Sequence, residues 1–213
     1  RQLQRIQQRV ALATILIPSV GTVAAIASIP ILGFSALALC LLLAMHLLTM
    51  LGITVGYHRD FAHRAFKCHG AVHFVLIILG GMAAQGPLIH WVSTHRRHHE
   101  FSDRPGDPHS PNLLRDGGPL RRFWHAHVGW MLAAEVTNPA RYAKDLLRDP
   151  VVSKANRLYP MWVILGLIVP AAIGGLWAGA WTGAMEGFLW GGLVRVFLVH
   201  HSTWAINSIT HLY

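Results

Sequence analysis

Between Arg9 and Arg59 the chain carries no charged side chain. An apolar run of that length is more than one small core can absorb, and it points to lipid as the solvent of this segment. Ser28 and Pro30 divide it into two blocks, about 10–29 and 31–56, each matching or exceeding the ~20 residues that cross a hydrocarbon layer. A second pair of blocks, about 161–181 and 188–210, is joined by 182–187, where Glu186 is the only charge, as suits an outer connection. With 53% hydrophobic and only 13% charged residues, the chain has too little charge for a soluble domain of its length. The expectation is an all-α integral membrane protein with four transmembrane helices in two hairpins, both termini on one side.

The net charge of +9 first suggests nucleic acid as a partner. Its basic residues, however, gather in the N-terminal stub and the polar middle, which is where the positive-inside rule puts cytoplasmic segments. No nucleic-acid partner is expected. Arg5 and Arg9 before an apolar run imitate a signal peptide, but a second apolar block follows at once and favours a hairpin. Cys40 and Cys68 are the only cysteines, so neither a disulfide framework nor an iron–sulfur cluster can be built. Any redox chemistry must therefore draw electrons from an external donor.

The polar middle is rich in histidine. His95, His98 and His99 stand at i, i+3 and i+4, positions that share one face of a helix. His58 and His63 are five apart, about 140° from each other on a straight α-helix, so they can converge only where the helix ends or unwinds. Asn207 and His211, at i and i+4, close the last block, with His211 read as a further ligand and Asn207 as lying near the metal. Metal ligation explains so much imidazole at a membrane surface better than packing does. A shared site also constrains the apolar stretch 71–89. If it crossed the membrane, the two clusters would lie on opposite sides, so it is expected to be interfacial or buried and not to span. Asp60, Glu100, Asp103 and Asp107 are candidates to orient the imidazoles from behind. His46, His200 and His201 are read as packing or hydrogen-bonding residues. Arg96, Arg97, Arg121 and Arg122 suit either acyl-CoA phosphates or anionic headgroups.

The segments Gly56-Tyr57-His58-Arg59-Asp60-Phe61-Ala62-His63-Arg64 and Trp91-Val92-Ser93-Thr94-His95-Arg96-Arg97-His98-His99-Glu100, followed by Asp107-Pro108-His109-Ser110-Pro111, resemble the first two histidine boxes of membrane fatty acyl desaturases. Phe123-Trp124-His125-Ala126-His127-Val128-Gly129-Trp130 and Asn207-Ser208-Ile209-Thr210-His211 are similar as well, so the likeness runs from about residue 31 to the end. It looks closest to bacterial delta-9 enzymes related to the stearoyl-CoA desaturases. The resemblance implies two Fe2+ ions held by His58, His63, His95, His98, His99 and His211, with Asn207 acting through a water. It further implies that Gln85 meets the carbonyl end of an acyl chain, and that Trp91 and Thr203 line the bend of its tunnel.

The activity so implied is oxygen-dependent insertion of a cis double bond into a saturated acyl-CoA or acyl-lipid. Dioxygen would be co-substrate, and a ferredoxin or cytochrome with its reductase would supply electrons. The whole of 1–213 would be one membrane domain in the bacterial inner membrane, in contact with its lipid, with 58–157 forming a cytoplasmic helical cap between the hairpins. A third box, His-x-x-His-His, is expected beyond Tyr213, so the chain reads as a fragment that is inactive alone. Two alternatives stay open: a related di-iron membrane hydroxylase or alkane monooxygenase, and a catalytically incomplete membrane metal-binding protein.

Overall fold

A computed structural model describes residues 2–114, 117–133 and 135–210, and among these every regular element is helical. Four helices are long and apolar enough to cross a membrane: Gln2–Leu32, Ala36–Ala62, Tyr159–Ala178 and Trp181–Ile209. Their outward side chains, such as Val23, Leu47, Ile168 and Leu176, lie exposed. Water would penalise such a belt of apolar surface, whereas lipid accepts it.

Both hairpin turns fall a few residues from where the sequence pattern puts them. The first helix continues through Pro18 and Pro30, and the chain turns at Gly33, whose φ of 80° suits a residue without Cβ. Ser35 then caps the second span by accepting from the Ala38 amide at 3.1 Å. At the other hairpin, 182–187 is not a connection. The chain turns at Gly179, with φ 60°, and Trp181–Glu186 already belongs to the last span. Glu186 is buried and accepts a 2.5 Å hydrogen bond from Ser35 Oγ, which ties the first hairpin turn to the last span. A carboxylate that finds a hydroxyl partner can be packed between helices, and so a charge marked as a loop residue sits inside.

The stretch 71–89 is two elements rather than one. Helix Gly70–Met82 ends at Ala83, Ala84 and Gly86 take positive φ, and Leu88–Phe101 begins after Pro87. Thirteen residues make a helix of about 20 Å, well short of the ~30 Å hydrocarbon core, so this one does not span. It packs tightly on the second span. A Cβ at Gly52 would strike the backbone of Leu79 and Gly80, and one at Gly80 would strike the Tyr57 ring. Around this contact Ile53, Tyr57, Phe61, Ile77, Leu88, Val92 and Val199 form the main buried cluster. Gly52→Ala is therefore expected to force the two helices apart and destabilise the protein by about 3 kcal/mol, measurable as a lower unfolding midpoint in detergent.

The last span fastens the break between the two short helices. Arg195, fully buried, donates to Met82 O at 2.6 Å, Gly166 O at 2.5 Å and Gly191 O at 3.2 Å. One turn on, His200 Nε2 donates to Ala83 O and Ala84 O at 3.0 and 3.1 Å. Carbonyls left unpaired where a helix stops inside apolar surroundings are costly, and these two side chains satisfy them.

Candidate metal centre

The second span does not stay α-helical. From Gly52 to Ala62 it widens into a π-helix, and the His63 amide donates to His58 O at 3.0 Å, an i→i+5 bond. That widening resolves the conflict in the spacing, since residues five apart now stack on one side. Arg96, on the helix Leu88–Phe101, secures the end of the wide turn. Its guanidinium donates to Phe61 O at 2.7 Å, Ala62 O at 3.0 Å and Tyr142 O at 2.9 Å, and to both oxygens of Asp145 at 2.8 and 3.1 Å. Arg96 is thus a structural fastener, not a free phosphate ligand. Arg97 is likewise engaged with Gly106 O and Glu135, and Arg122 with Pro111 O and Asn112, while Arg121 is exposed.

Asp145 also pairs with Arg64 at 2.5 Å. Burial alone would raise its carboxyl pKa, but hydrogen bonds from Arg96 and Arg64 outweigh this and hold it below the usual carboxylate range. A depressed folded-state pKa contributes stability above the unfolded value of about 4 and loses it as pH falls through the folded one. Asp145→Asn is expected to lower the unfolding midpoint at neutral pH and to flatten its decline below about pH 4, as a pH series of melting curves would read.

The π-helix brings His58 and His63 against His95 and His99. His63 Nε2 lies 3.0 Å from His95 Nε2, and His99 Nε2 lies 3.1 Å from the same atom. The His58 ring is centred 4.6 Å from that of His63 and 4.7 Å from that of His95. One nitrogen from each of the four rings falls within 4.8 Å of all the others. A metal about 2.0–2.1 Å from each nitrogen would place neighbouring donors about 3.0–3.4 Å apart, the spacing that His95 Nε2 makes with His63 and His99. Three Nε2 atoms crowded together also make poor mutual hydrogen bonds, because His95 Nε2 can donate to only one of its neighbours. Burial, and then the neighbouring His58, His99, His63 and His98, push the His95 pKa down to about 2. Burial first and then the same crowding lower that of His99. Neutral imidazole is the form that binds metal.

His98 does not join this group. Its Nδ1 lies 2.9 Å from Asp107 Oδ2, and its ring is centred 4.2 Å from that of His109. The three histidines at i, i+3 and i+4 therefore split, because the i+3 ring is claimed by a carboxylate on the following loop. Asp107 itself is anchored by the Asp103 amide at 3.0 Å and the His109 amide at 3.1 Å. Burial works against its ionisation, but the His98 hydrogen bond and these amides hold its pKa below the usual range. Nitrogens of His98 and His109 and an Asp107 oxygen form a second donor group, fully buried. Among the described residues, Asp107 is the carboxylate that pairs with one of the expected ligands. Asp60 pairs with His73 at 2.7 Å, Glu100 with Arg141 at 2.6 Å, and Asp103 with Ser110 Oγ at 2.6 Å and Asn112 Nδ2 at 3.2 Å.

The three residues singled out for an acyl chain meet at one place. Gln85 Nε2 donates to Thr203 Oγ1 at 2.7 Å, and Trp91 Nε1 donates to Gln85 Oε1 at 3.3 Å. The Trp91 ring then stacks on His95, with centroids 4.9 Å apart and planes 21° from parallel. This network is one ring removed from the imidazole cluster.

His127 and His201 lie apart from the imidazole cluster and pair with each other. His127 Nδ1 lies 2.9 Å from Ser208 Oγ, and its Nε2 lies 3.0 Å from His201 Nδ1, a tie between the polar region and the last span that the sequence pattern does not signal. Asn207 is half-buried on that span, and His211 lies outside the described residues.

A family model described as fatty acid desaturase matches residues 2–213. The chain is 50% identical over 201 residues to a hex-5-enoyl-[acyl-carrier protein] acetylenase of Moorena producens, an alignment covering 92% of this chain and 63% of that protein. It is 38% identical over 165 residues to an sn-1 stearoyl-lipid 9-desaturase of Synechocystis, covering 76% of this chain and 46% of that protein. With stearoyl-CoA desaturase 5 of Bos taurus it shares 29% over 173 residues, covering 78% and 49%. The chain thus spans from about half to somewhat under two thirds of the length of these relatives. Four spanning helices, histidines brought together by a π-turn and a family match along the chain lead to one conclusion: this protein belongs to the fatty acid desaturase family.

Proposed function

We propose that the protein is an oxygen-dependent fatty acyl desaturase that inserts a cis double bond into a saturated acyl chain, at the delta-9 position, with two histidine-bound irons. The observation that carries this reading is the convergence of His63, His95 and His99 on a common point through their Nε2 atoms. His58, His63, His95 and His99 would hold one iron, and His98, His211 and a water on Asn207 the other, with Asp107 fixing the His98 tautomer. Bound iron, with dioxygen, supplies the oxidising power that no side chain has. Partial burial and mutual crowding favour the neutral, metal-binding form of His95 and His99. The acyl chain would pass Gln85 with its carbonyl end and bend past Trp91 and Thr203, a reading supported by the Trp91–His95 stack, which links these residues to the imidazole cluster. Electrons come from a ferredoxin or cytochrome and its reductase.

The region 58–157 faces the cytoplasm of a bacterial inner membrane, in line with its exposed Arg59, Lys67, Lys144, Arg148 and Lys154. The substrate is an acyl-CoA or an acyl-lipid. The relative named an acyl-carrier-protein acetylenase favours a second reading, in which the acyl group rides on a carrier protein and already holds a double bond that becomes a triple bond. Full-length protein supplied with donor, reductase and oxygen would separate these. A new alkene from stearoyl-CoA or stearoyl-lipid supports the first, an alkyne from an enoyl carrier protein the second. An alcohol, or no oxygen consumption despite full iron loading, would overturn both.

A further inference from the structure

The carboxylate of Asp60 points away from the imidazole cluster and into a different group. On the far side of the π-helix, Asp60 Oδ2 lies 2.7 Å from His73 Nδ1 and 4.0 Å from Cys68 Sγ. An oxygen, a nitrogen and a sulfur, one from each residue, all lie within 4.8 Å of one another. They come from three elements: the π-helix, the loop after it and the helix Gly70–Met82. Asp60 is 4% exposed, so its carboxylate is not a solvated surface group. All three residues line an open cleft of about 600 Å³, whose other walls include Phe61, Phe74 and Val152.

We propose that Asp60, Cys68 and His73 form a further metal site, separate from the histidine cluster, that takes a zinc ion with water as its fourth ligand. The donor set decides the class of ion. Thiolate, imidazole and carboxylate together suit a borderline-soft divalent cation and not magnesium or calcium, which take oxygen ligands. Three protein ligands beside open space match a zinc site that keeps one position for water. With zinc about 2.0–2.2 Å from nitrogen and oxygen and about 2.3 Å from sulfur, tetrahedral donors stand about 3.3–3.6 Å apart. His73 and Asp60 need only part slightly to admit the ion, and Cys68 needs to close by a similar amount. Binding converts the Cys68 thiol to a zinc-bound thiolate and releases its proton to water; no electron moves. Without the ion, burial and then the Asp60 carboxylate push the thiol pKa up, the setting that a bound cation reverses. The site bridges the outer flank of the π-helix to Gly70–Met82, and it does not depend on whether iron or desaturation is the correct reading of the histidine cluster.

Cobalt(II) tests this directly, because only a thiolate ligand gives a sulfur-to-cobalt charge-transfer absorption in the near ultraviolet, and the histidine cluster has no sulfur. Iron-loaded full-length protein in detergent is titrated with cobalt and then back-titrated with zinc. The expected result is one equivalent of the band, displaced by zinc, absent in Cys68→Ser and retained in Cys40→Ser. His73→Gln, which leaves the thiol in place, is expected to weaken cobalt and zinc binding at least tenfold. Unchanged iron content and elution profile in Cys68→Ser establish that the variant is folded; if it does not fold, the His73→Gln affinity decides. No band in the wild type, a band surviving Cys68→Ser, or unaltered affinity in His73→Gln would overturn the site.

Discussion

His95→Ala is expected to abolish metal binding at the histidine cluster and to reduce product formation by at least about 100-fold, the upper end of what even outer-shell partners of a metal site cost. His95 is the hub of the cluster. Its Nε2 is the atom that both His63 and His99 approach, at 3.0 and 3.1 Å, and its ring carries the Trp91 stack. Removing it leaves two nitrogens on one flank and one on the other, with nothing to hold them to a common centre. It also frees Trp91, so the Gln85–Thr203 pair loses its link to the site. The measurement is iron per full-length chain by elemental analysis, beside product by gas chromatography. His125→Ala, outside the cluster, serves as the control. Wild-type iron and turnover in His95→Ala would remove the cluster from the mechanism.

The second large effect concerns stability. Arg195→Ala strands the carbonyls of Met82, where a helix ends, and of Gly166, whose helical donor would be Pro170, in a region closed to water. At about 1–3 kcal/mol for each buried acceptor left unpaired, the loss is expected to be about 3 kcal/mol or more. Arg195→Met separates the causes, because it restores most of the volume but none of the donors. It should remain nearly as unstable as the alanine variant, whereas Arg195→Lys should recover part of the loss. The readout is the temperature at which the monodisperse species disappears in detergent. A methionine variant as stable as wild type would show that the carbonyls find other partners. Gly166 adds a second reason for sensitivity, since a Cβ there would come within 3.0 Å of Arg195 Nη2.

The spanning pattern was readable because lipid imposes one requirement on twenty residues at a time, and chains meet it with uninterrupted apolar blocks. The ends were less readable. Proline at position 30 breaks a helix in water far more firmly than in a span whose carbonyls find other partners, so the turn moved on to Gly33. Glu186 misled for a related reason, since a charge marks a loop only when no partner such as Ser35 is packed against it. In the site, His95 and His99 were legible from helical spacing alone. The meeting of His58 and His63 was not, because the pattern carries no mark of a π-turn; only the demand that they converge implied an unwound helix. The separation of His98 depended on Asp107, a contact made across a loop and visible only as a nearby carboxylate among several. Arg96 looked like a ligand for phosphate because sequence shows charge but not the carbonyls it reaches.

The π-helix makes chain length part of the ligand set. Losing one of Ile53, Thr54 or Val55 would remove the extra residue that the wide turn accommodates and shift the register of His58 and His63 against the rest of the site. His63 would swing off the common point with every histidine still present, and Asp60 would leave His73 at the same stroke. Deleting a residue that itself touches no metal could thus disarm the site more thoroughly than many substitutions within it. In this chain the number of residues from Gly52 to His63 matters to the site as the histidines themselves do.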